Sequence, residues 1–187
     1  MNKKTVALTL EQYKEIISTM QKGFTGLKPN RRIAAALQLE ANLGLRISDI
    51  VRLRPCDIVK DGDRRHLEIK EKKTGKSRVF TVPDKTMIFI SEYCRENKIE
   101  DTALMFPITE RQVQKQLKIV CDYLDYQGIS THSFRKFFAT TMYNKNGHDV
   151  ALVQKLLQHS TVAVTQRYIG IESERIEQAL ENHAYFI

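Results

Sequence analysis

One stretch alone reads as β-strand, and it is short: residues 56–83, CDIVKDGDRRHLEIKEKKTGKSRVFTVP, in a chain whose other patterned segments repeat at helical spacing. Asp61-Gly62 and Thr74-Gly75 cut it into three extended runs, which predicts a small antiparallel three-stranded sheet. The fold class expected is therefore mainly α with one modest sheet, an α+β arrangement.

The flanking helices carry their own signals. Thr9 and Gln12 form a capping box, and Tyr13, Ile16, Ile17 and Met20 follow at helical spacing, predicting a first helix from Thr9 to about Met20. RRIAAALQLEAN, residues 31–42, is rich in strong helix formers and apolar enough for a buried helix, with Gly44 as its stop. SDIVRL is a shorter helix beyond that turn. Past Pro83, helices are expected over about 84–96, 109–124, 131–145, 149–158, 162–168 and 172–182. No internal repeat, low-complexity tract or linker interrupts the 187 residues, so a single domain over 1–187 is expected.

Thirty Lys and Arg against 22 Asp and Glu leave a net charge of +8, which draws polyanions, nucleic acid first. Cys56, Cys94 and Cys121 are odd in number, widely spaced and free of any C-x-x-C pair. Neither a disulfide framework nor a zinc site is suggested, and a reducing cytoplasm fits. The first residues, MNKKTVALTLEQ, lack the apolar stretch of a signal peptide, and no apolar run reaches membrane-spanning length.

Several polar residues sit where core would be expected. Arg46 directly follows an apolar helix and its Gly44 stop, flanked by Leu45, Ile47 and Ile50. A charge so embedded needs a partner, and the local one is Asp49, three residues on. In HSFRKFFAT, His132 and Arg135 are one turn apart on a helix expected to be capped by Thr131, so both reach toward one spot beside free N–H groups that favour an anion. Helix-end and surface-charge roles fit this pair as well. Lys72, Lys73, Lys76 and Arg78 crowd the second hairpin turn, where a charge run is normally a soluble tip. Strand alternation from Leu67 and Ile69 carries Glu71 and Lys73 onto the inward face. In LLQHSTVAVTQRYI, His159 follows an apolar helix and Tyr168 ends the next; an amphipathic edge is the common role for such a tyrosine.

GLRISDI, KKTGKSRVFTVP, HSFRKFFAT and LLQHSTVAVTQRYI together resemble the boxes of the tyrosine recombinase, or phage integrase, family, in the same order and with similar spacing over about Arg31 to Ile169. The resemblance implies that Arg46 is the first catalytic arginine, Lys73 the hairpin lysine, and His132 and Arg135 the His-x-x-Arg pair. It implies His159 as the second histidine, Tyr168 as nucleophile and Asp49 as a supporting acid.

That set suits phosphoryl transfer. Charge builds on the phosphate oxygens in the transition state, and arginine forks match those oxygens bidentately. Tyr168 would attack with His132 as base, leaving a phosphotyrosyl bond at the DNA 3′ end, and Lys73 would protonate the departing 5′ oxygen. No carboxylate cluster of a magnesium nuclease is apparent, so catalysis without metal, cofactor or ATP is expected. The implied partner is double-stranded DNA, with assembly as a dimer or tetramer on it.

Typical family members carry an N-terminal helical domain, and only about 30 residues precede the matching region here. The resemblance therefore implies a catalytic domain without that core-binding domain, whether separately produced or like the small DNA invertases. The tail over 170–187 is amphipathic and is expected to pack either on a neighbouring protomer or on its own core. Two rivals remain at this point: a type IB topoisomerase, and a non-catalytic helix-turn-helix regulator, for which GHDVALVQKLLQHSTVAVTQRYI would serve.

Overall fold

In a computed structural model of the chain, residues 5–170 and Glu181 are described. Helices α1 (Leu10–Lys22), α2 (Arg31–Leu43) and α3 (Ile47–Ile50) precede strands β1 (Ile58–Asp61), β2 (Arg64–Lys70) and β3 (Ser77–Thr81). Helices α4 (Asp84–Glu96), α5 (Glu110–Tyr123), α6 (Thr131–Lys145), α7 (Val150–Leu157) and α8 (Val162–Ile169) follow. The sheet is an antiparallel meander in the order β1-β2-β3, with Leu67 opposite both Ile58 and Phe80. The expected mainly helical fold with a three-stranded sheet is what forms. The expected tail helix over 172–182 lies, Glu181 apart, outside the described residues.

Local chemistry starts the helices where the sequence indicates. Thr9 and Gln12 close a reciprocal capping box on α1, and Thr109 and Gln112 do the same on α5. On α6 the helix bounds are as expected, but the capping residue differs by one. Ser130 is the residue before the helix, its N–H donating to Ser133 Oγ at 3.1 Å, while Thr131 is buried as the first helical residue. Adjacent hydroxyls make the two candidates alike from sequence alone.

Helix α2 is the axis of the core. Ile33, Ala34, Ala35, Ala36, Leu37, Leu39, Ala41 and Leu43 are all buried, apolar nearly all round, and the alanines let α1, α4 and α6 approach closely. The main core joins this helix to Ile16 and Met20 of α1, Val113 and Leu117 of α5, and Phe106 and Phe134. A second, smaller cluster gathers Ala139, Tyr143, Val153 and Leu157, with Tyr168 and Ile169 packed on it. Helix α8 therefore rests on a satellite patch and not on the main core. That is a weaker hold.

Gly44 ends α2 with φ +61°, the left-handed conformation that glycine adopts without steric cost. A Cβ at this position would collide with the ring of Phe138. The chain leaves that turn directly into Leu45 and Arg46, so its geometry fixes where the first arginine begins.

Candidate active site

Arg46, just ahead of α3, is half-buried and donates to Glu71 Oε2 at 2.6 Å. The local partner expected, Asp49, is not the one chosen. Asp49 is buried and instead accepts the backbone N–H of Lys72 at 2.8 Å, which ties α3 to the hairpin turn. Burial raises the Asp49 carboxyl's pKa, and the Glu71 charge adds to this, against the Lys72 N–H, Arg46 and Arg135. Glu71 is buried too, which disfavours its charge. The Thr74 hydroxyl at 2.8 Å and the guanidinium groups of Arg46 and Arg78 outweigh that and hold its pKa below the usual value.

Arg135 on α6 is 2% exposed and donates to the Gly44 carbonyl at 2.6 Å and the Leu157 carbonyl at 2.9 Å. Those acceptors are orphan carbonyls at the ends of α2 and α7, natural sites for a cation. A guanidinium has five N–H groups, so two anchors leave others for a ligand. His132, one turn earlier, is exposed. Even so, its surroundings together with the charges of Arg135, Lys73, Arg46 and Lys136 lower its pKa.

His159 follows α7 and lies edge-on to Tyr168, with ring centroids 5.1 Å apart and its Nδ1 3.1 Å from Thr165 Oγ1. Burial, then Arg135 and Arg46, push its pKa down to about 4. Both histidines are therefore neutral near pH 7. A neutral imidazole can donate one hydrogen bond and accept another, or take up a proton. Tyr168 packs under Lys136, whose Nζ is 5.3 Å from the ring centre. Its hydroxyl is buried without a well-formed hydrogen bond. Burial lifts its pKa to about 12, although the charges of Arg135 and Arg46 and a loose polar contact with Arg135 favour the phenolate.

Lys73 only partly meets expectation. Alternation holds through Glu71, which is inward and 1% exposed, but Lys72 to Thr74 form a turn closed by Gly75 N–H donating to the Glu71 carbonyl at 2.9 Å. Lys73 is therefore exposed, near enough to His132 for its charge to act there. The structure thus brings Arg46, His132, Arg135, His159 and Tyr168 into one electrostatic cluster, with buried Asp49 and exposed Lys73 within electrostatic reach of it.

Two residues of this cluster stand apart from the sequence-level set. Arg78 was expected on a soluble tip. It is instead 3% exposed, donates to the carbonyls of Leu156 and Leu43, and stacks over Phe80 at 4.7 Å. The signal was strand period, which puts Arg78 on the face of Phe80. Glu40 of α2 is fully buried, neither carboxylate oxygen makes a well-formed hydrogen bond among the described residues, and burial raises its pKa well above the ordinary value against the pull of Arg135 and a loose contact with the Ile47 backbone. Its place three residues after Leu37 and seven after Ile33, on the apolar face, was the available clue. Among the described residues no three His, Cys, Asp or Glu side chains are grouped to hold a metal ion. Among the described residues no helix is long and apolar enough to cross a membrane.

Comparison with known proteins places the chain beside recombinases and integrases. Probable integrase/recombinase YoeC of Bacillus subtilis (strain 168) is 30% identical over 158 residues, covering 82% of this chain and 85% of that protein. Tyrosine recombinase XerA of Pyrococcus furiosus is 27% identical over 183 residues, and tyrosine recombinase XerC of Caldanaerobacter subterraneus is 27% identical over 189 residues. The chain spans 60% of the former and 51% of the latter. By fold it is similar to the XerH site-specific recombinase bound to difH substrate in a post-cleavage complex, with a TM-score of 0.68 at 19% identity over 96% of this chain and 53% of that one. A lambda integrase dimer bound to a COC′ core site gives 0.70 at 16% identity, over 89% of this chain and 48% of that one. The sequence pattern of the phage integrase family matches residues 7–175, a span that contains every residue of the cluster, and the chain belongs to that family.

Proposed function

We propose that this chain is the catalytic domain of a site-specific recombinase that cleaves and rejoins double-stranded DNA through a 3′-phosphotyrosyl intermediate. The observation that carries the reading is the meeting of Arg46, Arg135, His159 and Tyr168, drawn from four separate segments, in one electropositive cluster. A helix-turn-helix regulator has no use for an arginine pair, one buried and one half-buried, beside a tyrosine. Family membership and the recombinase and integrase relatives favour strand exchange over simple relaxation.

In the reaction, Arg46 and Arg135 hold the non-bridging oxygens of one phosphodiester. With its pKa near 12, Tyr168 must lose its proton during attack and not before, and neutral His132 accepts it. The Tyr168 oxygen bonds to phosphorus, the P–O5′ bond breaks, and Lys73 protonates the leaving 5′ oxygen. Reversal by another 5′-hydroxyl reseals the strand without ATP, because the phosphotyrosyl bond keeps the phosphodiester energy. The Tyr168 hydroxyl is closed off from solvent, so α8 must shift on its satellite cluster before attack. Strand exchange brings two DNA sites together, which calls for a dimer or tetramer on DNA, acting in the cytoplasm with the nucleoid.

The test is incubation with DNA carrying a 5′-bridging phosphorothiolate, whose sulfur leaves without protonation, followed by denaturing electrophoresis. The wild-type protein gives a covalent adduct and Tyr168→Phe gives none. A wild-type protein that binds DNA but forms no adduct refutes the reading.

A further inference from the structure

Arg78 and Arg135 make the same pair of bonds one residue out of step. Arg135 of α6 donates to the carbonyls of Gly44 and Leu157, while Arg78 of β3 donates to those of Leu43, at 3.5 Å, and Leu156. Between them they bridge the end of α2 to the end of α7. Both ends present unsatisfied carbonyls and the negative pole of a helix, so without cations between them they repel. The bridge lies at a critical place. On one side the chain continues within two residues to Arg46, and on the other within two residues to His159 and then into α8 with Tyr168. Gln158, left-handed at φ 54°, adds a bond from its side-chain amide to the Ser77 carbonyl at 3.4 Å, one residue before Arg78.

The two staples differ in what else they do. Arg135 has N–H groups to offer a phosphate, whereas Arg78 is 3% exposed and engaged with two carbonyls, with Glu71 at 3.5 Å and with the Phe80 ring. Burial pushes its pKa down to about 10, aided by Arg135, which still leaves it charged at neutral pH. We propose that Arg78 is a positioning residue for the nucleophile half of the site: from the hairpin it holds the α7 end against the α2 end and so sets where His159 and Tyr168 stand relative to Arg46 and Arg135. Its strand also carries the chain back from the Lys73 turn, so the two halves of the site share one anchor.

The inference rests on the cleavage reading above, and single-turnover adduct formation at saturating DNA separates the two. If wild type forms no adduct, the cleavage reading fails. With wild type active, Arg78→Gln should form adduct roughly 10²-fold more slowly, the scale that a displacement of about 1 Å carries, with DNA affinity within about threefold of wild type. The 5′-bridging phosphorothiolate should rescue Lys73→Ala, whose missing proton donor the sulfur makes unnecessary, and should leave Arg78→Gln slow. Arg78→Lys, which keeps the cation but not the fork, should fall between, and it carries the test if Arg78→Gln does not fold. Three results overturn the proposal. One is a wild-type rate in the variants. Another is full rescue by the phosphorothiolate, which would place the effect at the leaving group. The last is a normal rate with reduced amplitude, which would mean that Arg78 serves folding alone.

Discussion

Replacing Gly44 by alanine strikes fold and site at the same point. At φ +61° an L-residue costs about 1–2 kcal/mol, and a methyl driven into the Phe138 ring adds the roughly 1–3 kcal/mol typical of overpacking. The sum, about 2–5 kcal/mol, corresponds to a fall of about 4–20 °C in Tm for a domain of this size. The two parts separate in a double-mutant cycle with Phe138→Leu, read by urea denaturation. Shrinking the ring should recover the steric share and leave the backbone share, giving a coupling energy of about 1–3 kcal/mol. Additivity within about 0.5 kcal/mol would refute the claim that Gly44 is required by the ring as well as by the turn. Because the Gly44 carbonyl holds Arg135 at 2.6 Å, the folded fraction of Gly44→Ala should also form adduct more slowly than wild type.

Two further outcomes follow from buried ionisable groups. Glu40 keeps its proton above the ordinary carboxyl range, so between its unfolded and folded pKa values the native state binds more protons and stability falls as pH rises. Glu40→Leu should therefore stabilise by about 1–3 kcal/mol at neutral pH, with a gain that shrinks on acidification; a pH-independent difference in urea midpoints would count against it. His159 behaves oppositely in sign. With its pKa lowered from 6.5 to about 4, the unfolded chain binds the extra proton, so its contribution is intact above pH 6.5 and lost as pH falls toward 4. Allowing for its half-exposed ring, that loss is about 1–2 kcal/mol. His159→Gln should flatten the acid limb by this amount, and identical wild-type and variant slopes would exclude the effect.

What could be read from the sequence was whatever depends on neighbours along the chain. Helix α4 and helix α6 begin and end where periodicity puts them, and Gly44 stops α2, because caps, turns and apolar stripes are local. The arginine partners were not legible for the opposite reason. Arg46 had Asp49 within reach in sequence, but Asp49 is taken by the Lys72 N–H and Glu71 arrives from 25 residues away on the hairpin. Arg78 resembled its lysine neighbours in composition and differed only in strand face. The inward placement of Lys73 was misread for a smaller reason, since the alternation that buries Glu71 ends where the turn begins.

The charge balance of the buried site explains why so costly an arrangement is kept. Arg46, Arg78 and Arg135 bring positive charge that Glu71 answers, burial shifts Asp49 and Glu40 toward their neutral forms, and His132 and His159 are shifted the same way. With Lys73 and Lys136 also close by, the site keeps an excess of positive charge, the complement of a phosphodiester. Buried unpaired charge is destabilising, but here two of the guanidiniums also answer the carbonyls at the ends of α2 and α7, so removing them would leave those helix ends unsatisfied. The fold thus retains the excess charge by making it structural, and a DNA phosphate would supply the missing partner. On this argument phosphate binding and the docking of α7 and α8 are coupled, since both draw on Arg135, and a ligand that neutralises the site should steady the segment that carries Tyr168.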